Sequence, residues 1–160
     1  GSFNPFLMEA IRAAYRGVGV RILLDSYYYN TEGPEDNDEM VRCINRLAAE
    51  EKLPLEARLA GLEANNIEKI HNKGVIIDGR KTLVSSINWN DNSPNFNRET
   101  GVIIDHQGVG EYFTRVFEDD WAASVANVRT TGPDWLKIRI AALVLVVLGI
   151  LSYMKRKTRF

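Results

Sequence analysis

Between Gly74 and Ile87 the chain writes two short β-branched runs, Val75-Ile76-Ile77 and Leu83-Val84-Ser85-Ser86-Ile87, with Asp78-Gly79 between them. Apolar runs of this length bounded by glycine read as strands, and Asp-Gly is a hairpin turn signal. A third run, Val102-Ile103-Ile104, follows Glu99 and supplies another strand. Side chains alternate faces along a strand, so parity decides what such a unit presents. His71 and Lys73 point the same way. Asp78 has the opposite parity, which gives it a supporting role as a turn residue. Ser86 and Asn88 share one face of the second strand. The pattern brings an imidazole, an ammonium, a hydroxyl, an amide and the carboxylate of Glu99 within reach of one pocket.

His71-Asn72-Lys73, then Asp78, then Ser86-Ile87-Asn88-Trp89 resembles the His-x-Lys-x4-Asp signature of the phospholipase D superfamily with its downstream Gly-Ser-x-Asn element. The string from Ile70 to Glu99 follows that pattern, with Ser85 where the family usually has Gly. Upstream, Asn4-Pro5-Phe6 and the stretch from Ala13 to Leu24 resemble the helix and strand that lead into the motif. Downstream, Phe117-Glu118-Asp119-Asp120-Trp121 resembles the closing helix, so the resemblance covers Asn4 to Trp121. A bare His-x-Lys pair is weak; the ordered set is strong.

The resemblance implies an α/β fold, a mixed β-sheet flanked by helices. It implies phosphodiester hydrolysis, or phosphatidyl transfer to an alcohol as in cardiolipin synthases, through a phosphohistidine. It implies a site built from two such motifs, of which this chain carries one. The second half would come from a homodimer partner or from an upstream domain of the same protein. Two alternatives stand beside a phospholipid substrate: a one-motif endonuclease acting on DNA as a homodimer, and a catalytically silent half-domain used in assembly.

The residue types suit that chemistry. Imidazole attacks phosphorus and splits one hard displacement into two easier ones. Lys73 neutralises phosphate oxygens on which charge builds in the transition state. Ser86 and Asn88 donate hydrogen bonds to the same oxygens. Glu99 is expected to hold the second ring nitrogen of His71 and fix its tautomer. The expected catalytic set is therefore His71, Lys73, Asp78, Asn88 and Glu99, with Lys73, Ser86 and Asn88 gripping phosphate. No metal or other cofactor is required, since side-chain cations do the charge work. The other histidine, His106, sits in Asp105-His106-Gln107-Gly108, a turn pattern, and receives no role. Cys43 is the single cysteine and reads as a small helix residue.

The chain has 160 residues and a formal net charge of −1, which argues against a general nucleic-acid binder. Phe6 to Arg16 has helical periodicity, with Phe6, Ala10, Ala13 and Ala14 on one side, Asn4 as cap and Pro5 in the first position. Val20 to Leu24 is a buried-type strand. Ser26 to Asn37 reads as a loop with three nearby tyrosines. Asp38 to Glu51 is a second helix, capped by Asp38 and facing inward with Met40, Ile44 and Leu47. Leu55 to Leu59 is a strand. Gly110 to Val125 is a further helix with Val109, Phe113, Val116 and Phe117 inward.

Residues 1–125 thus form the half-domain, and 126–134 a polar linker containing Gly132-Pro133. From Trp135 to Met154 the chain is apolar apart from Lys137, Arg139 and Ser152. Twenty helical residues span about 30 Å, the thickness of a bilayer core. Trp135 and Tyr153 stand where interfacial anchors would. A transmembrane helix is expected at 135–154. The basic tail, 155–160, would then be cytoplasmic and the domain extracytoplasmic. The chain begins without a signal peptide, and the strand that usually precedes the first helix is missing. It is expected to be the C-terminal part of a longer protein.

Overall fold

Asn4 starts the first helix as its chemistry requires: its side-chain oxygen accepts the Leu7 N–H at 3.0 Å, and Pro5 takes a position whose N–H has no helical partner. The computed structural model describes residues 4–27, 36–90 and 92–124. Helix α1 runs Pro5–Tyr15 and buries Leu7, Ile11 and Ala14. That stripe is rotated from the expected one. Phe6 instead turns aside to stack on Trp89, with ring centroids 5.8 Å apart, and Asn4 also donates to the Trp89 carbonyl at 2.5 Å. Gly17, with φ +87°, lets the chain turn away at the helix end.

Strand β1 (Val20–Leu24), helix α2 (Asn37–Glu51) and strand β2 (Leu55–Leu59) form a crossover unit. The two strands pair in parallel, Val20 opposite Leu55 through Leu24 opposite Leu59. Helix α2 is preceded by Asp36, which makes no side-chain cap bond, while Asp38 sits in the first turn and pairs with Arg42 at 2.9 Å. The expected cap, Asp38, lies two residues too late, because both acids suit a helix start. Its buried residues are Val41, Ile44 and Ala48; Met40 and Leu47 pack at the margin of the same core. A two-stranded sheet leaves strand edges unpaired, and Asn45 answers this for β2. Its amide donates to the Ala57 carbonyl at 2.9 Å and accepts the Ala57 N–H at 2.8 Å.

The second sheet is antiparallel, in the order β3 (Lys73–Ile77), β4 (Lys81–Ser85), β5 (Gly101–Asp105). The Asp78-Gly79 turn is present. Both residues have positive φ, 52° and 60°, and Arg80 N–H closes the turn on the Ile77 carbonyl at 3.1 Å. Strand β4 ends at Ser85, two residues before the expected end. Between β4 and β5 lies a five-residue helix α3 (Asn92–Phe96), which the sequence pattern does not announce. The α/β class holds, but the strands do not join into one mixed sheet among the described residues: the parallel pair and the antiparallel trio are separate ladders.

Helix α4 runs Gln107–Ala122 and starts three residues earlier than expected. His106 has a role after all, as its cap: ring nitrogen Nδ1 accepts the Val109 N–H at 3.4 Å. Helix α4 packs on the antiparallel sheet so closely that a Cβ on Gly110 would lie 2.2 Å from the Gly79 carbonyl oxygen. Its far end reaches the parallel pair, where Arg21 forms a two-pronged ion pair with Glu118 and Arg58 lies 4.3 Å over the Trp121 ring. Val116, expected inward, is 40% exposed.

Register sorts the antiparallel sheet into two faces. Thr82, 1% exposed, marks the face toward α4, with Ile76 and Ile104 in its row. The other face carries the rows Val75–Leu83–Ile103 and Ile77–Lys81–Asp105, with Lys73–Ser85–Gly101 at its end. There Ile103 is 75% exposed and Ile77 53%, so this face is uncovered among the described residues.

Among the described residues no helix is long and apolar enough to cross a membrane. The chain divides into two units, Gly1–Val128 and Arg129–Phe160. The expected linker 126–134, span 135–154 and tail 155–160 lie outside the described residues, as do Tyr28, Tyr29 and Val125.

Candidate active site

The head of β3 carries His71 and Lys73. His71 and Asn72 precede the strand and are exposed; Lys73 is its first residue and half-buried. The Lys73 ammonium donates to the His71 carbonyl at 2.6 Å, which folds the motif onto itself. Just upstream, the Ile70 N–H donates to Asp25 Oδ1 at 3.0 Å. Asp25 follows the C-terminal end of β1, so the motif is tied there to the parallel unit.

Glu99 is the hub of the other wall. Its carboxylate accepts hydrogen bonds from the Ser86 hydroxyl, from the Ser93 hydroxyl and from the Asn97 amide at 3.2 Å. Ser86 is itself fixed by Thr100, whose N–H donates to its hydroxyl at 3.0 Å while the Ser86 N–H donates to the Thr100 carbonyl at 2.9 Å. Ser93, 1% exposed, accepts the Asn88 N–H at 3.0 Å, and its own N–H goes to Asn90 Oδ1 at 2.8 Å. Glu99, Ser86, Ser93 and the Asn88 backbone are thus one hydrogen-bonded block.

Electrostatics joins the two walls. Desolvation lowers the Lys73 pKa below the ordinary lysine range. The neighbouring charge of Lys69 lowers it further, against opposing pulls from Glu99 and Asp25. Glu99 is held below the ordinary carboxylate range, first by the Ser86 hydroxyl, then by Ser93, with a smaller contribution from Lys73.

Two expectations differ from this geometry. Glu99 engages Ser86, Ser93 and Asn97 and not the His71 ring, whose nitrogens have no hydrogen-bond partner among the described residues. Glu99's two oxygens already meet three donors, so they orient the loop rather than the imidazole. Asp78 is not brought to the site: it stands past the other end of β3, about 17 Å along the strand from Lys73 at about 3.3 Å per residue. Ser93, Asn97, Asp25 and Lys69 join the site without being expected. Asn90 and Ser93 carry a recognisable local signal, an Asx side chain three residues ahead of an N–H it accepts. Among the described residues no group of three or more His, Cys, Asp or Glu is placed to hold a metal ion.

A positioned ammonium, a fixed hydroxyl and an exposed, unengaged imidazole make an arrangement for binding and attacking a phosphodiester. The family described as cardiolipin synthase, PLD-like domain, matches residues 3–121. The chain belongs to that family, within the phospholipase D superfamily. Cardiolipin synthase A of Yersinia pseudotuberculosis is 33% identical over 133 residues, 82% of this chain and 24% of that protein. Cardiolipin synthase A of Serratia proteamaculans is 34% identical over 119 residues, 73% of this chain and 22% of that protein. The chain therefore spans about a quarter of the length of these curated relatives. Among solved structures, Nuc from Salmonella typhimurium, a phospholipase D family member, superposes with a TM-score of 0.60 at 25% identity, over 77% of this chain and 74% of that one. NucT from Helicobacter pylori shares the fold, with a TM-score of 0.57 at 21% identity over 77% of this chain and 75% of that one.

Proposed function

We propose that this chain supplies one half of an active site that cleaves or transfers a phosphodiester on phospholipid. The observation that carries the reading is the head of β3, where His71 is exposed, its carbonyl holds the Lys73 ammonium at 2.6 Å, and Lys73 feels the charge of Glu99, the centre of the Ser86–Glu99–Ser93 block. In one direction of the reaction, a His71 ring nitrogen attacks phosphorus and the P–O bond to the leaving alcohol breaks. A second histidine, from another copy of the chain or from an upstream segment of the same protein, gives that oxygen its proton. Water or an acceptor alcohol then attacks the phosphohistidine, the P–N bond breaks, and the second histidine takes the acceptor's proton. With the roles exchanged, His71 is the acid. One imidazole does not serve as nucleophile and acid in the same step, so a second half is part of the proposal. Lys73 neutralises the phosphate oxygens and the Asn88 side chain can donate to them, whereas Ser86, expected to grip phosphate, has its one hydroxyl proton committed to Glu99.

The likeness to cardiolipin synthase A supports phospholipid over DNA, as does a net charge of −1. The proposal includes attachment to a bilayer through 135–154, with the domain on the extracytoplasmic side; that part rests on the apolar run in the sequence. The test is an assay of the complete enzyme on mixed phospholipid vesicles and on plasmid DNA in metal-free buffer. Lipid turnover lost in a folded His71→Ala protein, with plasmid intact, is the expected result. Plasmid nicking with untouched lipid, abolished by the same substitution, would establish the nuclease reading instead. Wild-type turnover by folded His71→Ala would sink the catalytic assignment.

A further inference from the structure

Lys69 is not part of the motif and has no role so far, yet the fold brings it to the site with some care. Two residues after Asp25 receives the Ile70 N–H at 3.0 Å, Tyr27 places its ring 5.1 Å under the Lys69 ammonium. The segment leaving β1 and the segment entering β3 are thus clasped twice, at 25 with 70 and at 27 with 69. An exposed lysine is usually a solvated one. This one is seated on an aromatic face and is close enough to Lys73 to oppose its charge. Two ammoniums on one side of a site repel each other, and an anionic ligand relieves that repulsion.

We propose that Lys69, seated on Tyr27, is a specificity-determining residue that selects anionic phospholipid headgroups over headgroups carrying a quaternary ammonium. The inference rests on the phospholipid reading above. On this proposal the scissile phosphate is seated on Lys73 and the headgroup turns toward Lys69. A hydroxyl or second anion is accepted there, and a fixed cation is repelled. The nearby carboxylates keep their charges and act on Lys73 in the opposite sense, but Glu99 and Asp25 each act on it less than Lys69 does.

The experiment compares the complete enzyme with its Lys69→Gln and Lys69→Arg variants on vesicles of phosphatidylglycerol and of phosphatidylcholine. Lys69→Gln should lower kcat/KM on phosphatidylglycerol about fivefold, mainly through KM, and raise it about twofold on phosphatidylcholine. These factors suit unit charges several ångströms apart at a protein surface. Lys69→Arg should keep the preference. Removing the Lys69 charge should also let Lys73 hold its proton to higher pH. The basic limb of the pH–rate profile should then move up in Lys69→Gln and stay in Lys69→Arg, a shift that a merely structural lysine would not produce. Equal losses on both lipids, or none, overturn the Lys69 assignment while leaving the phospholipid reading standing. A wild-type enzyme inert on both vesicles overturns both.

Discussion

The parallel half and the antiparallel half of this domain are built to different standards. Around β1 and β2, helices α1 and α2 close a filled core in which Val41, Ile44 and Ala57 are wholly buried. Around β3, β4 and β5, α4 buries Thr82 on one face but leaves Val84 and Val102 of that face 37% and 54% exposed, and the other face leaves Ile77 and Ile103 53% and 75% exposed. The candidate site stands on the second half, at the end of that face, where Lys73 shares a row with Ser85 and Gly101. Stability is made where nothing reacts, and reactive groups stand where packing is incomplete.

The sharpest way to break the comparison is a pair of alanine substitutions. Lys73→Ala removes the cation from the site but little from the core. In the complete enzyme it should lower kcat about 10³-fold, the scale of losing one charge-stabilising donor, with the denaturation midpoint near wild type. Ile44→Ala should do the reverse. Emptying a fully buried isoleucine site costs about 3 kcal/mol, and the protein that stays folded should turn over normally. Turnover and denaturant unfolding measured on both variants check this. A large stability loss in Lys73→Ala, or a catalytic loss in folded Ile44→Ala, would show that the two halves are not separable.

Much of this division was legible from the residues, and the misses have a common cause. The β3–β4 hairpin could be read because Asp78-Gly79 satisfies a purely local demand for two positive φ values. Motif order placed Ser86 with Glu99, and the Ser86 hydroxyl donates to that carboxylate. Where a choice depended on contacts from elsewhere, the reading failed. Helix α1 carries apolar residues around much of its circumference, so periodicity alone did not select Leu7 and Ile11 over Phe6; Trp89, 83 residues away from Phe6, draws the latter aside. Strand pairing is equally non-local, so parity does not say that the five strands among the described residues divide into two ladders. Glu99 was read as a partner for His71. Its real partner Ser93 lies on a five-residue helix too short to leave a periodic signal.

Acid should sharpen the comparison within the site. Glu99's carboxylate is held below its ordinary range by Ser86 and Ser93, so the native state favours its ionised form. The stabilisation this provides is complete above the unfolded carboxylate pKa of about 4.3 and is lost as pH falls through the lower, folded value. Glu99→Gln removes that linkage. Its midpoint should lie below wild type at neutral pH, by less than the Ile44→Ala deficit, and the gap should narrow as pH falls below about 4. A gap that widens in acid would mean that Glu99 is not stabilised as the charged form.

The smallest effect is expected on the open face. Ile103 is 75% exposed, so Ile103→Ser exchanges an apolar group already in water for a polar one. Surface changes of this kind fall within about 0.5 kcal/mol, and β5 loses only a little strand preference. In dilute solution of the residues before the apolar run, unfolding should be indistinguishable from wild type within that margin. Val41→Ala, a smaller deletion from the filled core, should be clearly measurable beside it. If Ile103→Ser instead costs as much as Val41→Ala, and the cost grows with protein concentration, the face is covered in solution by another copy. Stability then couples to association by mass action, and the open half would be an interface already in use. A cost independent of concentration would mean that the face is covered within the chain, and the contrast between the two halves would fall.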